Sequence, residues 1–551
     1  MSKSNSLKKR IFAAIIAGTM VMSLSLTGCN NNSTDESSKT PQVSENAEPS
    51  VESKFGDNIA VKSENYNISL PIMTYLFNYN YQGYLSYYGT YMSYYGFDSS
   101  KGLKDQYYDE SNGQTWYDYF MSMTKEYIQQ TLVLAEAAKA DGMELDDSDL
   151  ENIKTSMTQL ESTASENSMT ADEYVSDFYG KGVSQKDIEE CLKLTALAQK
   201  YYNKVYDGFK YTDDDYEKYY QDNKTSYQYA DFLTYTFTVP SDSTSSSTSS
   251  ETSESSEHKE ASEKAKAYAE ALAQCKTEKE FKAYVEKYLK NNPDLLKSSS
   301  SSSESSAEES KMTDEELQTA IDNVVESTLN EKYSYEVTSE VGKWVFDDSR
   351  KSLETKVIEN SDGSYTAVMV VKPAYRDESI GKNIRHILLS ADTYGSDDAA
   401  KAKADEVYKE WKDGDATEDS FAAFAKQYSS DSGSSSNGGL YENVAEGQMV
   451  TEFNDWCFDS SRKPGDTGIV KTTYGYHIIY FVSDGEQAWK NSVDSAMRST
   501  DFNNKYTEIK DEYKVEFDDD YLNTIEVQTS SDESSTEASN EITPNTSSKS
   551  E

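Results

Sequence analysis

Two of the chain's three histidines lie in short apolar segments, and an imidazole held there can donate or accept a proton from a fixed position. His386 lies in the run Asn-Ile-Arg-His-Ile-Leu-Leu at 383–389. His477 lies in the run Tyr-Gly-Tyr-His-Ile-Ile-Tyr-Phe-Val at 474–482. Each run is rich in Ile and Leu and predicts a short buried strand. If the two strands are neighbours in one sheet, both rings can meet on one face.

The segment between these strands carries a carboxylate and several apolar side chains. Asp431 falls in the turn-rich stretch 428–439, which must run over the surface, and Leu440 follows that stretch directly. Met449 and Phe453 are four residues apart, so on a helical turn they share a face. These residues are the candidates for a binding surface beside the histidines.

Two predicted helices position this surface. Their apolar residues recur at helical spacing. The first helix contains Ala400, Ala404, Val407, Tyr408 and Trp411, and the second contains Phe421, Phe424, Ala425 and Tyr428. Gly414 ends the first helix and Thr417 caps the second.

Taken in order, these segments resemble the parvulin family of peptidyl-prolyl cis/trans isomerases. The matching pieces are the Arg-His-Ile-Leu-Leu strand, the helix end Phe-Ala-x-x-Ala-x-x-Tyr-Ser-x-Asp, the Gly-Gly-Leu turn, the Gly-Gln-Met-Val-x-x-Phe segment and the Gly-Tyr-His-Ile-Ile strand. Each piece alone is a weak signal, but together they are specific. The resemblance implies a parvulin domain at 380–484, and the layout of the whole chain is similar to extracytoplasmic foldases of the PrsA and SurA type.

The resemblance also implies roles for individual residues. His386 and His477 would be paired rings behind the site, coupled to hydroxyls such as that of Thr472. Asp431 occupies the position that is Cys or Asp in parvulins and would act electrostatically or by orienting. The socket for a proline ring and its surroundings, the predicted substrate-binding residues, would consist of Leu440, Met449, Phe453 and Thr472.

The implied reaction needs neither a nucleophile nor a cofactor. Rotation about an Xaa-Pro bond takes tens of seconds, because its barrier of about 20 kcal/mol reflects partial double-bond character. An enzyme has only to bind the proline and favour the twisted amide. No cluster of His or Cys suggests a metal site, and we expect no cofactor. Whether the histidines are catalytic or architectural stays open at this stage.

The chain departs from the family pattern in three places. The loop 390–395 lacks the basic cluster of phosphate-directed parvulins, so no preference for phosphoserine before proline is expected. One residue is added between Leu440 and Met449, which affects the far wall of the pocket. Trp456 is bulkier than the pattern suggests.

The N-terminus predicts an exported lipoprotein. Basic residues precede an apolar stretch that is short for a membrane span, and Leu-Thr-Gly-Cys ends it at Cys29. We therefore expect a signal peptide at 1–28, lipid on Cys29 and a disordered tether at 29–57. The chain would lie on the extracytoplasmic face of the membrane of a Gram-positive type cell. An ordinary secretory cleavage site or a signal anchor is the alternative.

Residues 58–225 predict a helical domain, which the foldase resemblance identifies as chaperone-like. Helical patterns span 114–140, 146–163, 170–180 and 184–208. A dense run of tyrosines between 75 and 95 has two interpretations. The first is core and half-buried surface, and the second is a platform for unfolded peptide.

Residues 226–377 predict a second, degenerate parvulin-like domain. Its segments 344–351 and 364–371 match 456–463 and 475–482, which indicates an internal duplication. In this copy Tyr235 would replace His386 and Thr366 would replace His477. Two Ser-rich insertions, at 241–257 and 298–309, predict flexible surface loops.

The C-terminal region and the charge complete the prediction. Residues 485–526 predict a helix that returns to the N-terminal domain, and 527–551 predict a disordered acidic tail. The formal charge of −45, with no basic stripe to neutralise phosphates, argues against nucleic-acid binding. Expected partners are unfolded or newly secreted polypeptides and, through the lipid, the membrane; pairing as a homodimer stays open.

The predicted fold class is α+β: a helical domain and two parvulin-like domains, each with a small antiparallel sheet. The first functional hypothesis is a lipid-anchored prolyl isomerase that assists folding of secreted proteins. The alternative is a holdase chaperone without significant isomerase activity. A solute-binding lipoprotein lacks support, because no alternation of strands and helices over two lobes is present.

Overall fold

The computed structural model describes residues 51–239, 256–296 and 312–528. By its internal contacts the chain divides into two compact units. The first contains the described residues up to Lys210 and those from Arg498 onward, and the second is Tyr211–Met497.

Several predicted segments lie outside the described residues. They are the signal peptide 1–28 with Cys29, most of the tether 29–57, most of the first Ser-rich insertion, all of the second and nearly all of the tail 527–551. The described residues include no helix that is both long and apolar enough to cross a membrane.

The first unit is mainly helical. Its helices are α1 (Leu70–Met92), α2 (Trp116–Ala140), α3 (Asp147–Glu166), α4 (Ala171–Tyr179), α5 (Gln185–Gly208), the last part of α15 (Ala488–Glu512) and α16 (Asp519–Leu522). Its strands are β1 (Ile59–Lys62), β2 (Asn67–Ser69), β3 (Tyr107–Asp109), β4 (Gln114–Thr115) and β13 (Glu516–Phe517).

Local sequence signals explain where these helices begin. Thr115, Asp146, Thr170 and Ser184 precede α2 to α5, and each side chain accepts the backbone N–H three residues further on. Such caps satisfy N–H groups that the first helical turn leaves without partners. The predicted helix patterns are confirmed to within three residues at each end.

The C-terminal segment packs into the core of the first unit. Phe502, Leu522 and Ile525 are buried in the same cluster as residues of α1 to α5. Strand β13 pairs with β1 in an antiparallel manner. The buried hydroxyl of Tyr117 donates a hydrogen bond to the carbonyl of Leu522 at 3.0 Å. The helical unit is therefore built from both ends of the described chain.

The second unit contains two four-stranded antiparallel sheets. The elements of the first are α6 (Asp213–Asp222), β5 (Gln228–Phe237), α7 (Ser256–Leu272), α8 (Glu278–Asn291), α9 (Asp314–Glu326), β6 (Leu329–Ser334), α10 (Glu340–Val345), β7 (Thr355–Glu359) and β8 (Tyr365–Arg376). The elements of the second are β9 (Ile380–Leu389), α11 (Ala391–Tyr394), α12 (Asp397–Asp413), α13 (Glu418–Tyr428), β10 (Leu440–Val444), α14 (Thr451–Phe458), β11 (Thr467–Thr472) and β12 (Gly475–Gln487).

The two sheets share one topology. Their strand orders are β6-β5-β8-β7 and β10-β9-β12-β11. In each, the chain leaves a central strand through helices to one edge strand. It then passes through a short helix to the other edge strand and returns to the second central position. The predicted fold class, α+β with a helical part and two small antiparallel sheets, is confirmed.

Strand register shows which residue of the first sheet corresponds to His386. Aligning the inner strands β8 and β12 as the sequence predicts makes Val368 the counterpart of Ile479. Ile479 pairs with His386, whereas Val368 pairs with Thr234. Thr234 therefore stands where His386 stands in the second sheet, and the predicted replacement by Tyr235 is wrong by one residue.

Side-chain alternation is the reason for this difference. A shift of one residue along a strand moves a side chain to the opposite face of the sheet. Tyr235 packs edge-on against Phe237 and Tyr288, with ring centroids 4.9 and 5.9 Å away, in the core covered by α7 and α8. Thr366 lies on the other face, where its hydroxyl is 2.8 Å from that of Thr236.

Candidate active site

The central strands β9 and β12 bring the two histidines together. His386 pairs with Ile479 and His477 pairs with Leu388, so the two rings leave the same face two positions apart. Their Nδ1 atoms are 3.1 Å apart, and the rings stack with an interplanar angle of 18°. His386 is 4% exposed and His477 is 5% exposed. Both imidazoles are therefore held by the sheet and shielded from solvent.

A close approach between β10 and β9 fixes the backbone of His386. The N–H of His386 donates to the carbonyl of Gly439 at 2.8 Å. Gly439 has a positive φ of 73°, and a Cβ there would lie 2.1 Å from the carbonyl oxygen of His386. Only glycine fits this position without a shift of one of the two strands.

The loop after α13 carries Asp431 to His386. Ser430 donates its N–H to the carbonyl of Leu388, and the Ser429 hydroxyl accepts the N–H of Leu388, at 2.7 and 3.0 Å. These two bonds tie the loop to the end of β9. As a result, Oδ2 of Asp431 lies 2.9 Å from Nε2 of His386.

Two more hydroxyls converge on the same carboxylate. The Tyr441 hydroxyl donates to Oδ2 of Asp431 at 3.0 Å, and the Ser434 hydroxyl donates to the same oxygen. Ser434 is also 3.1 Å from Nε2 of His386. The Asp431 side chain is 20% exposed, so this carboxylate reaches solvent from a largely buried assembly.

Burial and hydrogen bonding set the charges of the site. Burial alone would raise the pKa of Asp431, but hydrogen bonds from His386, Ser434 and Tyr441 outweigh it and hold the pKa well below its usual range. Burial, followed by the neighbouring His386, lowers the pKa of His477 to about 3. Burial and the Asp431 charge raise the pKa of Tyr441 to about 12. At neutral pH Asp431 is an anion and His477 is neutral.

Donor and acceptor capacities define a directional chain when His386 is neutral. Asp431 can only accept, so Nε2–H of His386 donates to it and Nδ1 of His386 is left as an acceptor. Nδ1–H of His477 then donates to that nitrogen. Nε2 of His477 accepts from the Thr472 hydroxyl, 2.8 Å away. The Thr472 oxygen in turn accepts the N–H of Tyr474 at 3.1 Å.

Aromatic and apolar side chains close one side of this group. Phe453 is 2% exposed and meets both imidazoles edge-on, with ring centroids 5.6 Å from His386 and 5.2 Å from His477. Met449 and Tyr441 are half-buried and pack against the cluster that contains Phe453. The carboxylate therefore borders an apolar surface and lies at the edge of a dry interior.

Comparisons with known proteins agree with this arrangement. Residues 370–484 match the family model described as the PPIC-type PPIase domain. Residues 370–484 are a parvulin domain. The resemblance noted from the sequence motifs is thus confirmed for this part of the chain.

The similar proteins include foldases and chaperones. Foldase protein PrsA 1 of Listeria innocua is 36% identical over 117 residues, which cover 21% of this chain and 35% of that protein. Chaperone SurA of Pseudomonas syringae pv. tomato is 34% identical over 125 residues, which cover 22% and 26%. A crystal structure of PrsA from Bacillus subtilis covers 63% of this chain and 90% of that chain at 17% identity, with a TM-score of 0.17. These two curated relatives are thus matched over about a third of their length or less.

The parvulin domain does not bring every predicted site residue into the group. Leu440 pairs with Arg385 and therefore leaves the sheet on the face opposite to His386, because side chains alternate along a strand. Its predicted place in the socket is wrong, and Tyr441, the next residue, borders the histidines instead. Thr472 lies buried behind His477, so it supports the ring and does not line the open side.

Met449 reaches the site differently from the prediction. Helix α14 begins at Thr451, so Met449 precedes the helix and shares no helical turn with Phe453. It still packs in the cluster of Phe453. Sequence reasoning also missed Ser434 and Tyr441. Ser434 sits in a serine-rich loop without a distinguishing signal, whereas the alternation of β10 after the Gly-Gly turn could have indicated Tyr441.

No metal is implied by the donor set. The described residues contain no group of three or more His, Cys, Asp or Glu side chains that could hold a metal ion. The three cysteines that the structure describes are free. Burial raises the pKa of the Cys191 and Cys457 thiols to about 12, which makes them poor nucleophiles.

The Tyr441 hydroxyl provides a test of how Asp431 is positioned. We expect Tyr441→Phe to lower kcat/KM for a proline peptide by about tenfold, because one hydrogen bond to a charged group is lost while the ring stays. The acid limb of the pH–rate profile should move to higher pH, since that bond helps to lower the Asp431 pKa. Tyr474→Phe is the control, because that side chain is exposed and its ring is not in the group. Unchanged rate and profile in Tyr441→Phe would contradict this role.

The low pKa of His477 predicts a pH dependence of stability. Between its ordinary value of 6.5 and about 3, the unfolded chain binds a proton that the folded chain does not. His477 therefore contributes stability that is present above about pH 6.5 and is lost as the pH falls towards 3, by up to about 1.4 kcal/mol per pH unit. Urea unfolding at pH 5 and 7 should show a smaller loss in His477→Gln than in the wild type. Equal losses in both proteins would refute the assignment.

Proposed function

We propose that this chain is a peptidyl-prolyl cis/trans isomerase that assists the folding of unfolded polypeptides outside the cell membrane. The observation that carries the proposal is the hydrogen-bonded chain Asp431–His386–His477 set against Phe453 within a parvulin domain. A partly exposed anion beside an apolar wall suits a substrate that is an apolar ring next to a polarised amide.

The apolar wall binds the proline ring. Met449 and Tyr441, which are half-buried and backed by the buried ring of Phe453, offer a surface on which a pyrrolidine ring loses contact with water. Binding the ring leaves the chain on one side of the imide bond free to rotate against the other. No covalent bond to the protein is made at any stage.

Asp431 favours the twisted imide. A planar imide carries partial negative charge on its carbonyl oxygen, because the nitrogen lone pair is delocalised into the carbonyl group. An anionic carboxylate beside that oxygen destabilises the planar form relative to the twisted one, in which the delocalisation is lost. The effect is strong because the carboxylate borders a water-poor interior.

The histidines act as positioning residues. Their rings are almost fully buried, and Asp431 lies between them and the open side. They hold the carboxylate through one fixed hydrogen bond, and Thr472 holds the far ring. These contacts favour an architectural role for the two histidines over a catalytic one, the two alternatives that the sequence left open.

The cellular setting follows from the N-terminal sequence and from the relatives. The basic start, the apolar stretch and Cys29 support export and lipid anchoring on the outer face of the membrane. The matched proteins are called foldases and chaperones, which supports unfolded or newly secreted polypeptides as the clients. Pairing of two chains as a homodimer stays an open alternative, which sedimentation of the full chain tests.

A holdase without significant isomerase activity is the second candidate. The first sheet of the second unit has the parvulin topology but carries Thr234 and Thr366 where the histidines would be. A parvulin-like domain that lacks the two histidines is consistent with a role in binding polypeptides without isomerisation. In that case the domain of the second sheet would also bind polypeptides without catalysing isomerisation.

Refolding of a test protein limited by Xaa-Pro isomerisation separates the two candidates. With the full chain present, we expect the slow refolding phase to accelerate in proportion to the amount added. A holdase would reduce aggregation and leave the rate of that phase unchanged. The second result would overturn the isomerase proposal.

A further inference from the structure

The second half of α1 presents an uncharged aromatic surface on a strongly acidic protein. Residues 70–97 contain no Asp, Glu, Lys or Arg, although the whole chain is 27% charged with a formal charge of −45. The first half of α1 is buried in the core of the first unit. The second half and the 3₁₀ turn Ser93–Tyr95 that follows it carry the exposed tyrosines.

These tyrosines form one face. Tyr84, Tyr87, Tyr88 and Tyr91 recur three or four residues apart, which places them on one side of α1, and the 3₁₀ turn that follows adds Tyr94 and Tyr95. We call the set the tyrosine ribbon; its members are Tyr84, Tyr87, Tyr88, Tyr91, Tyr94 and Tyr95. The most exposed are Tyr94 at 84%, Tyr87 at 78% and Tyr95 at 73%, and Tyr91 is 61% exposed.

The inner end of the ribbon is anchored by ring contacts. The ring of Tyr88 lies 4.6 Å from that of Tyr87 and 4.8 Å from that of Tyr84. Tyr84 in turn meets Tyr119 of α2 at 6.0 Å, and Tyr119 stacks on Tyr108 at 4.2 Å. The exposed rings therefore continue a packed aromatic network and are presented at a low cost in conformational entropy.

The ring faces of the ribbon carry no cation of their own. Elsewhere in the protein lysines sit over tyrosine rings, such as Lys372 over Tyr375 at 3.3 Å and Lys104 over Tyr117 at 4.2 Å. Among the described residues, no such contact involves a ribbon tyrosine. The quadrupole of a tyrosine ring places partial negative charge on its face, which therefore attracts cations.

We propose that the tyrosine ribbon holds an unfolded, cationic polypeptide segment, whether or not that segment contains proline. The ring faces bind Lys and Arg side chains, and the exposed hydroxyls hydrogen-bond to the extended backbone. The overall negative charge attracts such a segment and repels a second copy of this equally acidic chain. The proposal rests on the proposed function only in taking unfolded polypeptides as clients.

Binding of two synthetic peptides to the full chain tests this proposal. Both are unstructured, about 15 residues long and free of proline. One contains Lys, Arg, Phe, Ser and Gly, and the other has Glu and Asp in place of Lys and Arg. Fluorescence anisotropy should show binding of the cationic peptide, at least tenfold tighter than the acidic one, and this preference should shrink with added salt.

Substitutions in the ribbon locate the binding. The triple variant Tyr87→Ser, Tyr91→Ser, Tyr94→Ser should weaken binding of the cationic peptide by about tenfold or more. The corresponding Phe variant should stay within about threefold of the wild type, since it keeps the rings. Val337→Ser, at an exposed apolar residue of the second unit, is the control and should bind normally. Circular dichroism checks that each variant is folded.

Two results would overturn the proposal. One is unchanged peptide binding in the Ser variant. If that variant also loses self-association in sedimentation, the ribbon binds a second copy of this chain and not a client peptide. The other is loss of binding in the Phe variant. Isomerisation of a proline peptide is measured in parallel. If the protein catalyses isomerisation but the ribbon does not bind the cationic peptide, only this inference is contradicted. If the ribbon binds the peptide but the protein does not catalyse isomerisation, only the isomerase proposal is contradicted.

Discussion

Replacing Asp431 by alanine is expected to lower kcat/KM for isomerisation of a proline peptide by about 100-fold. The substitution removes the anion that faces the apolar wall, and loss of one preorganised electrostatic group typically costs a factor of 10² to 10³ in rate. The apolar wall of Phe453 and Met449 remains, so KM should change less than kcat. The protein should stay folded, because the lost hydrogen bonds lie at a partly exposed position.

Two further variants separate charge from shape at this position. Asp431→Asn keeps the size of the side chain and its capacity to accept hydrogen bonds but removes the negative charge. If the charge favours the twisted imide, the asparagine variant should be nearly as slow as the alanine variant. Asp398→Ala, an exposed carboxylate on α12 of the same domain, should leave kcat/KM within about twofold. Wild-type activity in Asp431→Asn would contradict the electrostatic role.

Gly439→Ala is expected to destabilise the parvulin domain by about 4 kcal/mol and to abolish most of its activity. The new Cβ would lie 2.1 Å from the carbonyl oxygen of His386 and 3.0 Å from the Cβ of Ala425. Neither neighbour is the flexible end of a side chain, so β10 must separate from β9. The cost of a left-handed backbone adds to this steric conflict. The separation would also displace Tyr441 from Asp431.

Gly447→Ala is the matched control for this substitution. Gly447 also has a positive φ, 81°, but a Cβ there would meet no atom within 4 Å. We expect it to cost only about 1 kcal/mol, the conformational term alone. Urea unfolding of both variants measures the difference between them. Equal losses of stability would show that the contact with His386 does not matter.

The sequence predicted those parts of the fold that depend on local pattern. The strands of His386 and His477 are apolar runs bounded by turn residues, and both formed as expected. Caps such as Thr417 before α13 marked helix starts. The order of the motifs was sufficient to identify the domain, and with it the neighbourhood of Asp431 and Phe453.

The sequence failed where long-range pairing decides which way a side chain points. Leu440 and Tyr441 are adjacent apolar residues, and only the register of β10 against β9 determines which of them faces the histidines. The same uncertainty of one residue led to Tyr235 in place of Thr234 in the first sheet. The four-residue spacing of Met449 and Phe453 suggested that both lie on one helix, but the helix begins only at Thr451.

Exchange spectroscopy by NMR tests the central claim, that the Asp431–His386–His477 group and its apolar wall ease rotation about a prolyl bond. A proline peptide is mixed with a small amount of the full chain, and exchange between its cis and trans signals is followed over mixing times below one second. Uncatalysed exchange takes tens of seconds and gives no cross-peaks on that scale. We predict cross-peaks with the wild type and their loss with Asp431→Ala. Absence of cross-peaks with the folded wild type, or equal cross-peaks with both proteins, would contradict the account.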